Sequence, residues 1–453
     1  MPPESSLSQL SQPPAPPCGH IIGSSKEHRS IFSFARGRAD APLRVLILAG
    51  QHGDERPAQR TVEALLAITP TDLDNRLPNL QLAVVPEANP DGCAVRSRFN
   101  ADGIDLNRDH QLLRSGETAA IHQFVREWQP QVILDLHSYP SRRRHLLEQN
   151  LVLDHDVFID VANHPAILAR PGSVAGGQVL EGMLKALTSR KIRAGRYTIV
   201  ETSGRARHST PDVVDARNGL ALRYGVFTLL VENRQPRREE ASTERRRLQS
   251  AQERALLVML EWLSQNHDLF PSRYAVQPPA PGSPVQVRFK YQHHWGGLRL
   301  ACRDADQGQP VNVMFSRYCA SLVVRRSVLL PAGYAVPREL VALRAVLRRH
   351  GFVSTPWPPG ELCAVEKQRI EAARPSHRPG RSAGRVFLAP HRMTLELDRY
   401  EVFPSHQAGG EALAVFLEPE SQHGLHRVLD MEIPLATHSW YPVLRVFRNG
   451  GHS

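Results

Sequence analysis

A histidine and a glutamate three residues apart, His52 and Glu55, stand where the apolar run LRVLILAG gives way to QHGDERPA. A tight turn or the first turn of a helix can aim both side chains at one point. Such a pair, completed by a distant third ligand, holds zinc with one coordination position left for water. The third ligand is available in PQVILDLHS, where His137 follows an apolar run and Asp135 lies two residues earlier on the same face. Alone, HxxE or DLH is a weak signal in a chain with 21 histidines. Together, each at the carboxyl end of an apolar strand, they point to a metal centre, because ligands gather at that edge of open α/β sheets. A third strand, FTLLVEN, delivers Glu232 to the same edge, where a carboxylate can act as general base on an activated water. The stretch NPDGCAVRSRFNADGIDLNRDH (89–110) holds two turn signals, NPDG and NADG. They keep Arg98, Asn107 and Arg108 close in sequence, and arginine forks suit a bidentate grip on a carboxylate. Zinc, a carboxylate base and an arginine clamp are the chemistry of a carboxypeptidase.

These residues need a parallel sheet to bring them together. The runs Leu43 to Ala49, Leu80 to Val85, Val132 to Leu136 and Val226 to Val231 are apolar on successive residues, as strands buried on both faces are. Between them, Ile121, Phe124, Val125 and Trp128 fall on one helical face. A long helix over about Glu239 to Asn266 carries Leu256, Met259, Leu260 and Leu263 on its inner stripe. Strand–helix alternation of this kind predicts an α/β fold with a largely parallel sheet. Phe270 to Pro284 holds five prolines and reads as a linker. Beyond it, Val285 to Tyr291, Leu298 to Cys302, Arg385 to Leu388 and Met393 to Leu397 suggest short strands, with one helix at about Arg338 to His350. The predicted organisation is a disordered segment 1–18, a catalytic domain 19–268, a Pro-rich linker 269–284 and a smaller β-rich domain 285–453. A flexible basic loop is expected at 373–385, and His293, His294 and Trp295 read as a polar loop.

Composition narrows the class. The chain has 453 residues, 41% hydrophobic and 22% charged, enough for a real core and too long for one ordinary domain. No apolar run reaches the roughly 18 residues of a membrane span, and MPPESSLSQLSQPPAPPCGH is not a secretory signal. Five scattered cysteines form no CxxC pair, as in a reducing compartment, so a cytoplasmic location is expected. The net charge of +11 is carried almost wholly by arginine, with only five lysines among 56 basic residues. That imbalance reads as genomic base composition, so nucleic acid and membrane are not the expected partners.

The motifs GQHGDE, NPDG, RFNADGIDLNR and DLH and the strand-end Glu232 stand in the order found in the zinc metallocarboxypeptidase family, which residues 20–268 resemble. IIGSSKEHRSI (21–31) is similar to the opening segment of bacterial murein-peptide amidases. The resemblance implies a mostly parallel mixed sheet flanked by helices and one zinc per chain, held by His52, Glu55 and His137. It implies Glu232 as general base and later proton donor, and Arg98 stabilising the carbonyl oxygen. Asn107 and Arg108 would hold the substrate's terminal carboxylate, and Asp105 would orient His52. The implied substrate is a small peptide.

Three departures stand out. Relatives carry a tyrosine about two dozen residues before the glutamate; here GRARHSTPD offers His208, and Tyr197 and Tyr224 are poorly spaced. Asp109 replaces a common asparagine. Arg217 stands where relatives set side-chain preference, and would there select an acidic terminal residue or one with an extra carboxylate; in an arginine-rich chain the plainer reading, an exposed helix arginine, is the favoured one. LEPESQHGL (417–425) and YPVLRV (441–446) resemble tail segments of relatives with an appended β domain. Two other functions fit the sequence: an N-acyl amino acid deacylase of the succinylglutamate desuccinylase or aspartoacylase type, and an inactive relative that binds peptides.

Overall fold

The computed structural model describes residues 19–447 except 142–143, 171, 238, 271–276, 356–361, 374–385, 429–430, 432, 434–435 and 437. Segment 1–18, part of the 269–284 linker and nearly all of the basic loop 373–385 therefore lie outside the described residues. The strands of the first part are β1 (Gly19–Ser24), β2 (Ser30–Gly37), β3 (Leu43–Leu48), β4 (Leu80–Val85), β5 (Val132–Pro140), β6 (Leu151–Leu153), β7 (Val157–Val161), β8 (Ala194–Arg196), β9 (Ile199–Val200), β10 (Ala206–Arg207) and β11 (Phe227–Gln235). Eight of them form a mixed sheet in the order β1-β2-β4-β3-β5-β11-β7-β8. Its centre, β4-β3-β5-β11, is parallel, and β7 runs antiparallel to β11.

The fold is thus mixed α/β with helices on both faces of the sheet. One face packs Ile47, Leu134, Leu136, Leu229 and Val231 against helices Arg56–Leu66, Gly176–Ser189 and Ser242–Gln265. The other packs Leu46, Leu48 and Ile133 against helices Gly116–Trp128 and Ala216–Tyr224. Ile121 and Val125 are buried there, and the rings of Phe124 and Trp128 stack at 5.9 Å, as their one-turn spacing requires.

The elements differ from the sequence reading in five respects. The strand begun at Val132 continues to Pro140 and the one at Phe227 to Gln235, so His137 and Glu232 sit within strands rather than just past them. The hairpin β1–β2, not expected from periodicity, forms the sheet edge. The runs expected at 385–388 and 393–397 fall in one strand, Val386–Glu396, with Arg385 outside the described residues. His293 and His294 end a strand, and Trp295, 93% exposed, follows them.

The second part adds β12 (Pro284–His294), β13 (Leu298–Asp304), β14 (Pro310–Phe315), β15 (Tyr318–Leu329), β16 (Gly333–Pro337), β17 (Leu362–Ala373), β18 (Val386–Glu396), β19 (Tyr400–Pro404) and β20 (Leu444–Phe447). It is β-rich, with helices Val341–Arg349 and Glu411–Leu417. Two of its sheets recruit strands of the first part: β6 pairs with β13, and β10 pairs with β15. A shared apolar cluster of Tyr139, Leu153, Phe158, Leu300 and Phe315 fills the space between.

Candidate functional site

His52 reaches the site from the turn after β3, Glu55 from the residue before helix Arg56–Leu66, and His137 from β5. The turn is possible because its glycine has no side chain: a Cβ on Gly53 would lie 2.0 Å from the carbonyl carbon of Gly92. The HGDE and NPDG segments therefore touch backbone to backbone. NPDG is more than a turn; Asn89 caps helix Pro90–Val95 by accepting from Gly92 N at 2.9 Å. NADG turns as expected, with Asn100 Oδ1 accepting from Ile104 N at 2.8 Å and Gly103 at φ 73°.

Candidate ligand atoms of His52, Glu55 and His137 all lie within 4.8 Å of one another. His52 Nδ1 is 2.7 Å from Glu55 Oε1 and 3.2 Å from His137 Nδ1, which is 3.1 Å from Glu55 Oε2. The far nitrogen of each imidazole is taken by a carboxylate: His52 Nε2 by Asp105 at 3.0 Å, His137 Nε2 by Asp135 at 3.0 Å. With both Nε2–H groups donating outward, the two Nδ1 atoms turn lone pairs on each other and on the Glu55 carboxylate. Within the triangle these atoms are all acceptors, which favours a cation, a proton or a metal ion, between them; Ser138 N donates to Glu55 Oε2 at 2.8 Å from outside it, and Arg98 Nη1 lies 3.4 Å from His52 Nδ1. Two imidazoles and a carboxylate, each imidazole backed by an aspartate, suit zinc.

Burial disfavours charge on every member, yet the charges sustain one another. It would raise the Glu55 carboxyl, but the adjoining His137 and His52 hold it down at about 2. Burial would lower His137, but Asp135 and Glu55 raise it well above the ordinary imidazole value. His52 is raised in the same way, chiefly by Asp105 and then Glu55. Asp105 is held low against its own desolvation by His52, Arg98 and Arg108.

Glu232 is the register partner of His137 in the parallel pairing of β11 with β5. Partners on adjacent strands point to one face, and adjacent strands lie about 4.8 Å apart, so the half-buried glutamate stands beside the ligand set. Arg98 donates to Asp105 through Nε at 3.0 Å and lies 2.9 Å from it through Nη2, while Nη1 approaches Glu55 Oε1 at 3.8 Å. Asp105 thus orients a histidine and an arginine at once. Asn107 is buried, with Nδ2 3.2 Å from His137 Nε2 and Oδ1 accepting from Ala216 N at 2.8 Å. Arg108 is exposed, and its Nη1 donates to Asn107 O at 2.6 Å.

Asp109, where an asparagine was the common alternative, accepts from Arg114 N at 3.0 Å and Ser115 N at 2.9 Å and organises the entry to helix Gly116–Trp128. His208 donates to Tyr197 O at 3.1 Å and faces the Tyr318 hydroxyl of β15. Arg217 is not an exposed helix arginine. It is 2% exposed, and Nη1 donates to Val161 O and Nη2 to Thr210 O, each at 2.6 Å, with Asp215 3.3 Å from Nη2. Its guanidinium is spent on the chain's own oxygens, which leaves little for selecting a substrate side chain.

Two residues escaped the sequence reading. Gln51, inside the GQHGDE motif, donates to Asp135 Oδ1 at 2.7 Å, and His110, after Asp109, reaches Gln51 Oε1 at 2.8 Å. Their motif positions were the available signal.

Residues 41–164 match the succinylglutamate desuccinylase/aspartoacylase catalytic domain, a stretch that includes His52, Glu55 and His137 but not Glu232. A probable carboxypeptidase 2 of Arthroderma benhamiae is 27% identical over 125 residues, 27% of this chain and 24% of its own length. The murein peptide amidase A of Escherichia coli K12 is 43% identical over 76 residues, 16% of this chain and 28% of its own. The chain therefore spans about a quarter of the length of these curated relatives. A metallo-carboxypeptidase structure from Pseudomonas aeruginosa is 22% identical, covering 55% of this chain and 63% of its own, with a TM-score of 0.43. The sequence matches support a zinc carboxypeptidase-like family.

Proposed function

We propose that this zinc carboxypeptidase-like chain is a hydrolase that removes the C-terminal residue of a small peptide, with His52, Glu55 and His137 as ligands of one zinc ion. The observation that carries the reading is the convergence of these three acceptors within 4.8 Å, beside a carboxylate at the register position of His137. Zinc, when bound there, supplies Lewis-acid polarisation of the scissile carbonyl and acidifies water toward a pKa of about 7. Glu232 takes the proton of the attacking water and returns it to the leaving amine. Arg98, steadied by Asp105, faces the oxygen on which negative charge grows. Asn107 and the exposed Arg108 receive the terminal carboxylate. Arg217 has no part in this reading.

A peptide mixture incubated with and without a chelator, read by mass spectrometry, tests the proposal. Loss of single C-terminal residues, abolished by the chelator and restored by zinc, is expected. Internal cleavage, or cleavage indifferent to the chelator, overturns it.

The match of residues 41–164 to the desuccinylase/aspartoacylase domain favours a second reading, release of an acyl group from an N-acyl amino acid. The same metal, base and carboxylate grip would serve. Including N-acyl amino acids in the mixture separates the two by which amide is cut.

A further inference from the structure

The buried polar groups behind His137 run well past Asp135. The Asp135 carboxylate, buried and ionised, can only accept, so the Gln51 amide must turn its Nε2–H toward it, at 2.7 Å. Gln51 Oε1 then faces His110 Nε2 at 2.8 Å, and an amide oxygen can only accept, so His110 carries its proton on Nε2. That leaves a lone pair on His110 Nδ1, which meets His122 Nε2 at 3.1 Å; His122 must donate in its turn. The remaining lone pair, on His122 Nδ1, takes the Tyr224 hydroxyl at 3.1 Å. One carboxylate therefore fixes the direction of every bond back to Tyr224. Burial agrees with this pattern of neutral imidazoles: it lowers His110 to about 4 and His122 well below its ordinary value, and keeps Tyr224 protonated by raising it to about 12.

We propose that His110, His122 and Tyr224 are positioning residues: through Gln51 and Asp135 they lock the angle of the His137 imidazole and so set the affinity of the site for zinc. This rests on the metal reading given above. The physical reason is the amide of Gln51, which could rotate by half a turn and present oxygen to oxygen at Asp135. The N–H of His110 forbids that rotation, and the Tyr224 hydroxyl, acting through His122, keeps the N–H on the correct nitrogen. Asp135 Oδ1 also accepts from His137 Nε2 at 3.0 Å, so a carboxylate that turns takes the imidazole's charged partner with it.

The imidazoles of this relay are buried as well as directional. His110 and His122 are 0% exposed. The second part of the molecule helps to seal it: the His350 ring stands edge-on to His122 at 5.2 Å, and His350 donates to Gln111 O at 3.0 Å. Water entering here would supply a donor or acceptor to either histidine and remove the preference for one direction.

The test measures zinc dissociation constants by chelator competition on the full chain, with the melting temperature of the metal-free protein as a separate readout. Tyr224→Phe removes one hydroxyl and should weaken zinc roughly tenfold, and His110→Met roughly a hundredfold, the range for lost outer-shell partners of a metal site. His110→Gln, whose amide can donate to Gln51, should recover most of the affinity lost in His110→Met. A core role alone would lower the melting temperature without moving the zinc constant. Zinc constants within about twofold of the unaltered chain in Tyr224→Phe and His110→Met would overturn the inference. If the unaltered chain bound no zinc, the metal reading itself would fail, a result distinct from equal affinities across the series.

Discussion

At the residue scale, the site gathers two imidazoles and a carboxylate, with the Glu232 carboxylate at the register position of His137 on the neighbouring strand. Glu232 and Glu55 are both glutamates at one sheet edge, yet their surroundings differ. Glu55 accepts from Ser138 N at 2.8 Å and lies against both histidines, whereas Glu232 comes in from the neighbouring strand. Glu232→Gln should therefore leave zinc content unchanged and slow turnover by roughly 10²- to 10⁴-fold. Undiminished turnover would remove it as the base. Proton competition gives a second prediction. Without metal, His52 and His137 hold their protons more tightly than ordinary imidazoles, because Asp105, Asp135 and Glu55 favour the charged form. Zinc must displace those protons, so its affinity should fall as pH drops, from above neutrality down through the ordinary imidazole range. Isothermal titration at several pH values should show proton release on binding; affinity independent of pH from 8 to about 5 would contradict the ligand assignment.

At the element scale, the sheet does most of the positioning, and this was the more legible level. The strands β3, β4, β5 and β11 are buried on both faces, so their apolar runs stood out. Their ends did not. His137 and Glu232 are polar because of where they project, and a pattern that tracks burial stops where the chemistry begins. The hairpin β1–β2 was missed for the opposite reason: it lies at the sheet edge, where β1 buries no residue and β2 only Ile31 and Ser33, so no apolar run marks it. Asp105, Arg98 and Asn107 were legible as motif members, whereas Gln51 and His110 share those motifs but act on Asp135 and on each other, 84 and 59 residues away in sequence, rather than on the ligand set. The meeting of the HGDE and NPDG segments was equally hidden, and it yields a prediction. Gly53→Ala drives a methyl into the Gly92 backbone and should cost about 3 kcal/mol, seen as a lower melting temperature together with weaker zinc binding. A melting temperature within about a degree of the unaltered chain would show that the turn can give way.

At the scale of the whole molecule, the sequence suggested two domains joined by a Pro-rich linker, while the strands pair across that boundary. The crossing strands are three residues long in β6 and two in β10, too short to leave a periodic trace. Cores are shared as well: Leu112, Val213 and Leu222 of the first part pack with Val285, Tyr334 and Phe416 of the second. The ion pairs follow suit, with Asp154 meeting both Arg193 and Arg303. A chain ended at residue 268 would expose these apolar surfaces and free two sheet edges. It should lose cooperative unfolding and aggregate on heating; a fragment that melts as sharply as the full chain and still binds zinc would show that the first part is self-sufficient.

The most direct test of the account is anomalous diffraction at the zinc edge from crystals grown with zinc. One peak per chain is predicted, about 2.0–2.2 Å from His52 Nδ1, His137 Nδ1 and a Glu55 oxygen, on the side that faces Glu232. Zinc bound elsewhere, or coordinated through the Nε2 atoms with Asp105 and Asp135 displaced, would contradict it.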